Sequence, residues 1–122
     1  MENVIIEIPE ELKNWNDYIY AERSNRYWAS TIKKQEALIV ASHTDKIKYK
    51  GKYPVKIEVY KYFSSKRQDL DNVRLKGIFD GLVKAGVIEN DNLNKIQEII
   101  LRPVFTKDKT GLKIIISPLE KE

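Results

Sequence analysis

Four short stretches of the chain have the composition and length of β-strands. They are rich in Val, Ile and aromatic residues, and the first of them stops at Pro9. In the second, apolar residues occupy every other position from Val55 to Val59, which is the period of a half-buried strand. The stretches are NVIIEI (3–8), YPVKIEVYKYF (53–63), EIILRPVF (98–105) and LKIII (112–116). We expect the last two strands to form a hairpin across TKDKTG.

Two other stretches have the pattern of an α-helix. The longer one covers about residues 16–41, lacks glycine and proline, and is expected to break near Ser24. The shorter one covers 73–85, with Asn72 as its N-cap and Gly86 as its end. Its apolar residues recur at positions i, i+3, i+4 and i+7, which form one helix face. These residues are Leu75, Ile78, Phe79 and Leu82.

The order of these elements predicts a small α+β (mixed α/β) fold. We expect a mixed sheet packed by the long N-terminal helix and by the helix after residue 72. A chain of 122 residues with 42% hydrophobic content suffices for one compact domain and is short for two. We therefore predict a single domain spanning 1–122.

Composition narrows the chemistry that the chain can perform. There is no cysteine and a single histidine, His43, which excludes disulfides, thiolate chemistry and Cys-type zinc sites. Any catalysis must therefore use carboxylates, lysine and a metal ion. No apolar run approaches the roughly 20 residues of a membrane span, and the N-terminus lacks the basic start of a signal peptide. We expect a cytoplasmic protein without a membrane partner.

Positive charge is concentrated in the middle of the chain. Residues 1–30 carry six acids and three bases, whereas residues 31–67 carry ten bases and three acids. Lysines interleaved with tyrosines are typical of a surface that follows a phosphate backbone, although a solvated face has the same composition. The predicted DNA-binding residues are Lys46, Lys48, Lys50, Lys52, Lys66, Arg67 and Arg74.

Acidic residues gather just after this basic region, in RQDLDNVRLKGIFDGLVKAGVIEND (67–91). Asp69 and Asp71 lie two apart, so in an extended segment both side chains project to one face. A helix over 73–85 is about 20 Å long. The following segment to Asp91, extended, covers about 17 Å. Asp91 can therefore return towards the aspartate pair.

Three clustered carboxylates need a compensating charge. Two of them about 4 Å apart repel by about 4 kcal/mol at an effective dielectric near 20. Oxygen ligands without His or Cys favour Mg²⁺, with Mn²⁺ as an alternative. Lys76, on the first turn of the helix, is placed to neutralise charge on a phosphate. A turn with a helix cap, and an i, i+4 pair of Lys76 with Asp80, account for the same residues without a metal.

The same run resembles the core of RusA-type Holliday-junction resolvases, and the likeness extends over residues 53–117. In that family an Asp-x-Asp-Asn string is followed by Lys, then Asp-x-Leu, Ala-Gly and a pair of acids. The matching positions are Asp69, Asp71, Asn72, Lys76, Asp80, Leu82, Ala85, Gly86 and Asp91. Two positions differ: Lys76 follows Asn72 by four residues instead of three, and Asn90 replaces the first of the paired acids.

The resemblance implies a mixed α/β fold, a homodimer, and Mg²⁺-dependent nicking of four-way DNA junctions at symmetric positions, a step of DNA recombination and repair. It further implies that Asp69, Asp71 and Asp91 bind the metal and that Lys76 assists catalysis, with Asn72, Asp80 and Asn90 as supporting residues. Two other functions stay open. One is a non-catalytic nucleic-acid-binding module, and the other is a Mg²⁺-dependent nuclease acting on other branched DNA or on RNA.

Overall fold

The computed structural model describes residues 3–11, 15–24, 26–44, 46–66 and 69–119. These residues form a small single-domain α+β fold with a four-stranded mixed sheet and three α-helices, as the sequence predicts. In chain order the elements are β1 (Val4–Ile8), α1 (Trp15–Ser24), α2 (Arg26–Ser42), β2 (Val55–Phe63), a 3₁₀ turn (Leu70–Asn72), α3 (Leu75–Lys84), β3 (Ile96–Phe105) and β4 (Leu112–Pro118). The expected break near Ser24 falls between α1, which ends there, and α2, which begins at Arg26; the residue between them lies outside the described part of the chain.

The sheet has the strand order β1-β4-β2-β3, with β2 parallel to β3 and antiparallel to β4. The predicted hairpin between the last two strands is therefore wrong, because β2 lies between them. Val55, Ile57 and Val59 of β2 are fully buried, and the central position gives this strand a hydrogen-bonded neighbour on each side. The connection after β3 passes the end of β2, where the Thr106 amide donates to the Phe63 carbonyl at 2.8 Å.

The hydrophobic core lies between one face of the sheet and the helices α2 and α3. Its fully buried side chains come from β1, β2, β4 and both helices, and they include Ile6, Ile8, Val40, Val59, Leu82, Ile114 and Ile116. From β3, Ile96 is buried in the same core. A smaller cluster joins α1 to α2 through Ala21 and Ile32. Within the described ranges, none of the helices combines the length and apolar character needed to cross a membrane.

The start of α3 differs from the prediction. Asn72 is not its N-cap; Arg74 occupies that position, without a side-chain capping bond. The segment after Asp69 is not extended either, because the Asn72 amide donates to the Asp69 carbonyl and closes a 3₁₀ turn. Val73 (φ −69°, ψ 128°) is extended. One residue thus separates the turn from the helix cap, which absorbs the longer spacing between Asn72 and Lys76.

The end of α3 agrees with the prediction. Ala85 is the C-cap, and Gly86 follows with φ +78°, the left-handed conformation that glycine adopts without steric cost. The Val87 amide then donates to the Leu82 carbonyl at 2.9 Å. The chain therefore reverses at Gly86 and runs back along the helix.

Candidate functional site

Lys76 on the first turn of α3 lies between two carboxylates. Its ammonium group donates to Asp80 Oδ1 at 3.0 Å, one helical turn away, and lies 3.7 Å from Asp91 Oδ2. The side chains are 60%, 41% and 28% exposed, respectively. Asp91 thus lies at the first turn of α3, beside Lys76, whereas its approach to Asp69 and Asp71 stays a prediction. The i, i+4 pair that the sequence allowed is formed as well.

These contacts keep the lysine charged. The hydrogen bond to Asp80 and the charge of that carboxylate raise the pKa of Lys76, and Asp91 adds a smaller effect in the same direction. The lysine is accordingly protonated at neutral pH and unsuited to act as a base. Its chemical capacity is to hold a positive charge at a solvent-accessible point between two carboxylates.

The segment that brings Asp91 to this point is anchored by packing and by hydrogen bonds. Val87 and Ile88 are buried, and the Val87 carbonyl accepts the Tyr49 amide at 2.8 Å. The Asn90 side-chain oxygen accepts the amides of Asp91 at 2.7 Å and of Asn92 at 3.1 Å. Asn90, predicted as a supporting residue, therefore stabilises the turn through its amide oxygen, which a carboxylate could also do.

Of the two remaining carboxylates of the predicted metal site, the structure describes the side chain of one. Asp69 is exposed and immediately precedes the 3₁₀ turn. The backbone of Asp71 lies in that turn, but its side chain is outside the described part of the structure, as is Arg67. Among the described side chains, no group of three or more His, Asp or Glu residues could hold a metal ion. The set of Asp69, Asp71 and Asp91 stays a prediction.

A buried ion pair directly precedes this site, and the sequence did not reveal it. The guanidinium of Arg74 donates through Nη1 to Glu36 Oε1 of α2, and both side chains are almost fully buried, at 3% and 2% exposed. Burial raises the pKa of Glu36, although Arg74 opposes the shift. One signal was present: Glu36 lies four residues from both Ile32 and Val40, which are buried on the same face of α2.

The pairing with Glu36 removes Arg74 from the predicted DNA-binding set. A guanidinium enclosed between α2 and α3 cannot reach a phosphate backbone. Arg74 is the N-cap of α3, and its side chain lies against Glu36 of α2 instead of in solvent. The prediction treated Arg74 as one more surface base, because charge alone does not reveal which face of the chain is covered.

Four of the other predicted DNA-binding residues form an exposed lysine loop. Along 46–52 the exposed positions are Lys46, Lys48, Lys50 and Lys52, and they alternate with Ile47 and the buried Tyr49. Lys48 contributes to lowering the pKa of Glu89, after the larger effects of the hydrogen bond and charge of Lys95. The loop therefore lies beside the segment that leads to Asp91.

Lys66 is exposed too, but it lies elsewhere, after the end of β2. Its ammonium group is 5.4 Å from the centroid of the Phe105 ring on β3. In contrast, Lys61 is largely buried and pairs with Glu11 at 3.0 Å. Basic residues of the middle region are thus divided between solvent-exposed positions and internal pairs.

Comparison with known proteins identifies no family: no family model matches the chain, and no curated protein matches it. The resemblance to RusA-type resolvases therefore stays a prediction that depends on the residues of 67–91.

Proposed function

We propose that the protein is a metal-dependent endodeoxyribonuclease that nicks four-way DNA junctions at symmetric positions in the cytoplasm. The observation that supports this best is the meeting of Lys76, Asp80 and Asp91 at the helix that follows the Asp69–Asn72 turn. The lysine loop beside this site supplies a surface for the phosphate backbone. No part of this proposal requires Arg74.

The donor set fits a hard divalent cation. The proposed ligands are Asp69, Asp71 and Asp91, all oxygen donors, and the two whose side chains are described reach solvent. Mg²⁺ is the proposed ion, with Mn²⁺ as the alternative; when bound, such an ion lowers the pKa of a water molecule and polarises a phosphate oxygen.

Lys76 then offsets negative charge that develops on the phosphate, because its ammonium group is held beside Asp91. Asp80 restricts the lysine to this orientation through its hydrogen bond. Since Lys76 carries a raised pKa, it acts as a fixed charge and not as a proton acceptor. The lysine loop positions the DNA through backbone contacts, which carry no base sequence information.

We propose a homodimer as the active form, because two equivalent strands of a junction require two equivalent sites. The edge strand β3 supports this proposal. Among the residues that the structure describes, it pairs only with β2, and its Ile99 and Phe105 are 46% and 53% exposed. An unpaired strand edge with apolar side chains is a surface on which a second copy can pack. Sedimentation equilibrium measures the oligomeric state directly.

The decisive experiment is cleavage of a labelled four-way junction by wild type and by Asp71→Asn, in Mg²⁺ and in EDTA. We expect the variant to lose cleavage and to retain junction binding in a gel shift. Asp108→Asn, on the exposed loop after β3, is the matched control and should cut like wild type. Undiminished cleavage by Asp71→Asn in Mg²⁺ would overturn the site assignment.

A non-catalytic nucleic-acid-binding module is the second candidate, favoured by the exposed lysine loop and independent of the carboxylates. It predicts binding without cleavage of any substrate in either Mg²⁺ or Mn²⁺. Linear duplex and RNA hairpin, tested beside the junction, also distinguish a nuclease with another substrate. Preferential cleavage of either one would replace the junction as the proposed substrate.

A further inference from the structure

The buried pair of Glu36 and Arg74 has no surface role, and its location suggests another one. Arg74 is the residue directly before α3, two positions ahead of Lys76. Glu36 comes from α2, so the pair ties the start of one helix to the middle of its neighbour. Asp80 is close enough to contribute to the raised pKa of Glu36. The pair thus adjoins the Lys76 site without belonging to it.

The helix surface is shaped to receive this pair. A Cβ atom on Gly77 would lie 2.2 Å from Glu36 Oε2 and 2.8 Å from Arg74 Nη1. Any side chain at position 77 would therefore displace the carboxylate or the guanidinium. The glycine costs roughly 1 kcal/mol of helix propensity relative to alanine, so the first turn of α3 gives up intrinsic stability where it accommodates the pair.

Stability alone does not account for such an arrangement. Desolvating two charges costs several kcal/mol per ion, and buried pairs are commonly no more stable than apolar residues of similar size. Within the described part of the chain, Glu36 Oε2 has no hydrogen-bond partner, so the compensation on the acid side is incomplete. An ion pair restricts orientation more than an apolar contact does. Its hydrogen bond is directional, so it defines the rotation of the helix about its axis and its position along that axis.

We infer that Glu36 and Arg74 are positioning residues, which set the start of α3 so that Lys76 meets Asp91. This inference rests on the proposed nuclease function, since it assigns a role in that reaction. A displacement of about 1 Å in a catalytic group can reduce the rate by about 100-fold. Loss of the pair should therefore lower kcat and leave junction binding, which depends on the lysine loop, unchanged.

A double-mutant cycle tests the inference. Glu36→Gln should lower kcat for junction cleavage about 10- to 100-fold, at a temperature where the variant is fully folded and with an unchanged junction Kd. In a Lys76→Ala background the same substitution should cause no further loss, because its effect acts through the lysine. Equal losses in both backgrounds would overturn the inference. A decrease in kcat that merely matches the fraction of unfolded protein would overturn it as well.

The matched control is Glu11→Gln, which removes one charge from the half-exposed Glu11–Lys61 pair, and neither residue of this pair belongs to α3; it should leave kcat within twofold of wild type. A reduced kcat in this control would show that the assay reports general destabilisation, and would count against the inference. Gly77→Ala retains both charges and should reproduce the loss in Glu36→Gln, because it displaces the carboxylate.

A measurement that does not depend on DNA cleavage distinguishes failure of the inference from failure of the proposed function. If wild type cuts no DNA, the nuclease proposal fails, and ¹H–¹⁵N spectra decide the positioning role. Glu36→Gln should then shift the amide of Asp91, because Asp91 contacts Lys76 of α3, the helix that begins at the Glu36–Arg74 pair. An Asp91 amide that moves no more than it does in Glu11→Gln would overturn the inference.

Discussion

Replacing the buried cation, as in Arg74→Met, should strongly lower the free energy of unfolding. In the native protein the guanidinium and the Glu36 carboxylate are 3% and 2% exposed. Methionine has a similar length and no charge, so the substitution leaves a carboxylate buried without its partner. Breaking such a pair costs about 3–5 kcal/mol. Since domains are stable by about 5–15 kcal/mol, the variant should fold but with a much reduced margin.

The loss has a thermal equivalent. At about 2.1 cal/mol/K per residue, the unfolding entropy of a 122-residue chain is roughly 0.26 kcal/mol/K. A loss of about 3–5 kcal/mol then lowers Tm by about 12–20 °C. Urea unfolding followed by tryptophan fluorescence measures the free energy at constant temperature. Lys61→Met is the control: its partner Glu11 is 58% exposed, so the cost should stay below about 1 kcal/mol.

The pH dependence identifies the cause. Burial raises the pKa of Glu36 above its ordinary value of 4.5, and Arg74 opposes that shift; without Arg74 the pKa rises further. A raised carboxyl pKa means that folding takes up a proton, so this group stabilises the fold most at low pH. The contribution is lost as pH rises from about 4.5 to the raised pKa, at about 1.4 kcal/mol per unit.

The stability difference between wild type and Arg74→Met should therefore be larger at pH 8 than at pH 5, because the further raised pKa of Glu36 in the variant extends the loss of stability to higher pH. Replacing both partners, as in Glu36→Leu with Arg74→Met, should return stability to the wild-type value or above it, because neither charge is then buried. A single variant that loses less than about 1 kcal/mol, equally at both pH values, would refute the reasoning.

Two further predictions address the DNA surface and the core. Replacing both Lys48 and Lys50 with Gln should weaken junction binding at low salt and reduce the slope of log Kd against log[salt] by about 2, one for each lost phosphate contact; an unchanged slope in fluorescence anisotropy titrations would remove the loop from the interface. Leu82→Ala should lower the free energy of unfolding by about 2–5 kcal/mol, since Leu82 is fully buried between α3 and the sheet; a loss below about 1 kcal/mol in urea unfolding would contradict its placement in the core.

The local pattern of the sequence predicted most of the secondary structure. The alternation from Val55 to Val59 identified β2, and the spacing of Leu75, Ile78, Phe79 and Leu82 identified α3, because both patterns follow from the repeat of one element. Gly86 marked the helix end for an equally local reason, its tolerance of positive φ. Chain length and helix length also allowed Asp91 to return along α3, but the sequence directed it to Asp69 and Asp71, and its contact with Lys76 came from the structure.

Pairing between strands and the partners of buried charges depended on tertiary structure. No local pattern distinguishes a β3–β4 hairpin from a sheet in which β2 separates the two strands; that choice depends on which arrangement buries β2 best. The same holds for Arg74, whose burial is decided by Glu36, 38 positions away in the chain. Sequence alone thus determined the elements and the carboxylate-rich segment, because these follow from neighbouring residues. Only the fold decided which charges face solvent and which face one another, because desolvation and ion pairing depend on contacts between residues distant in sequence.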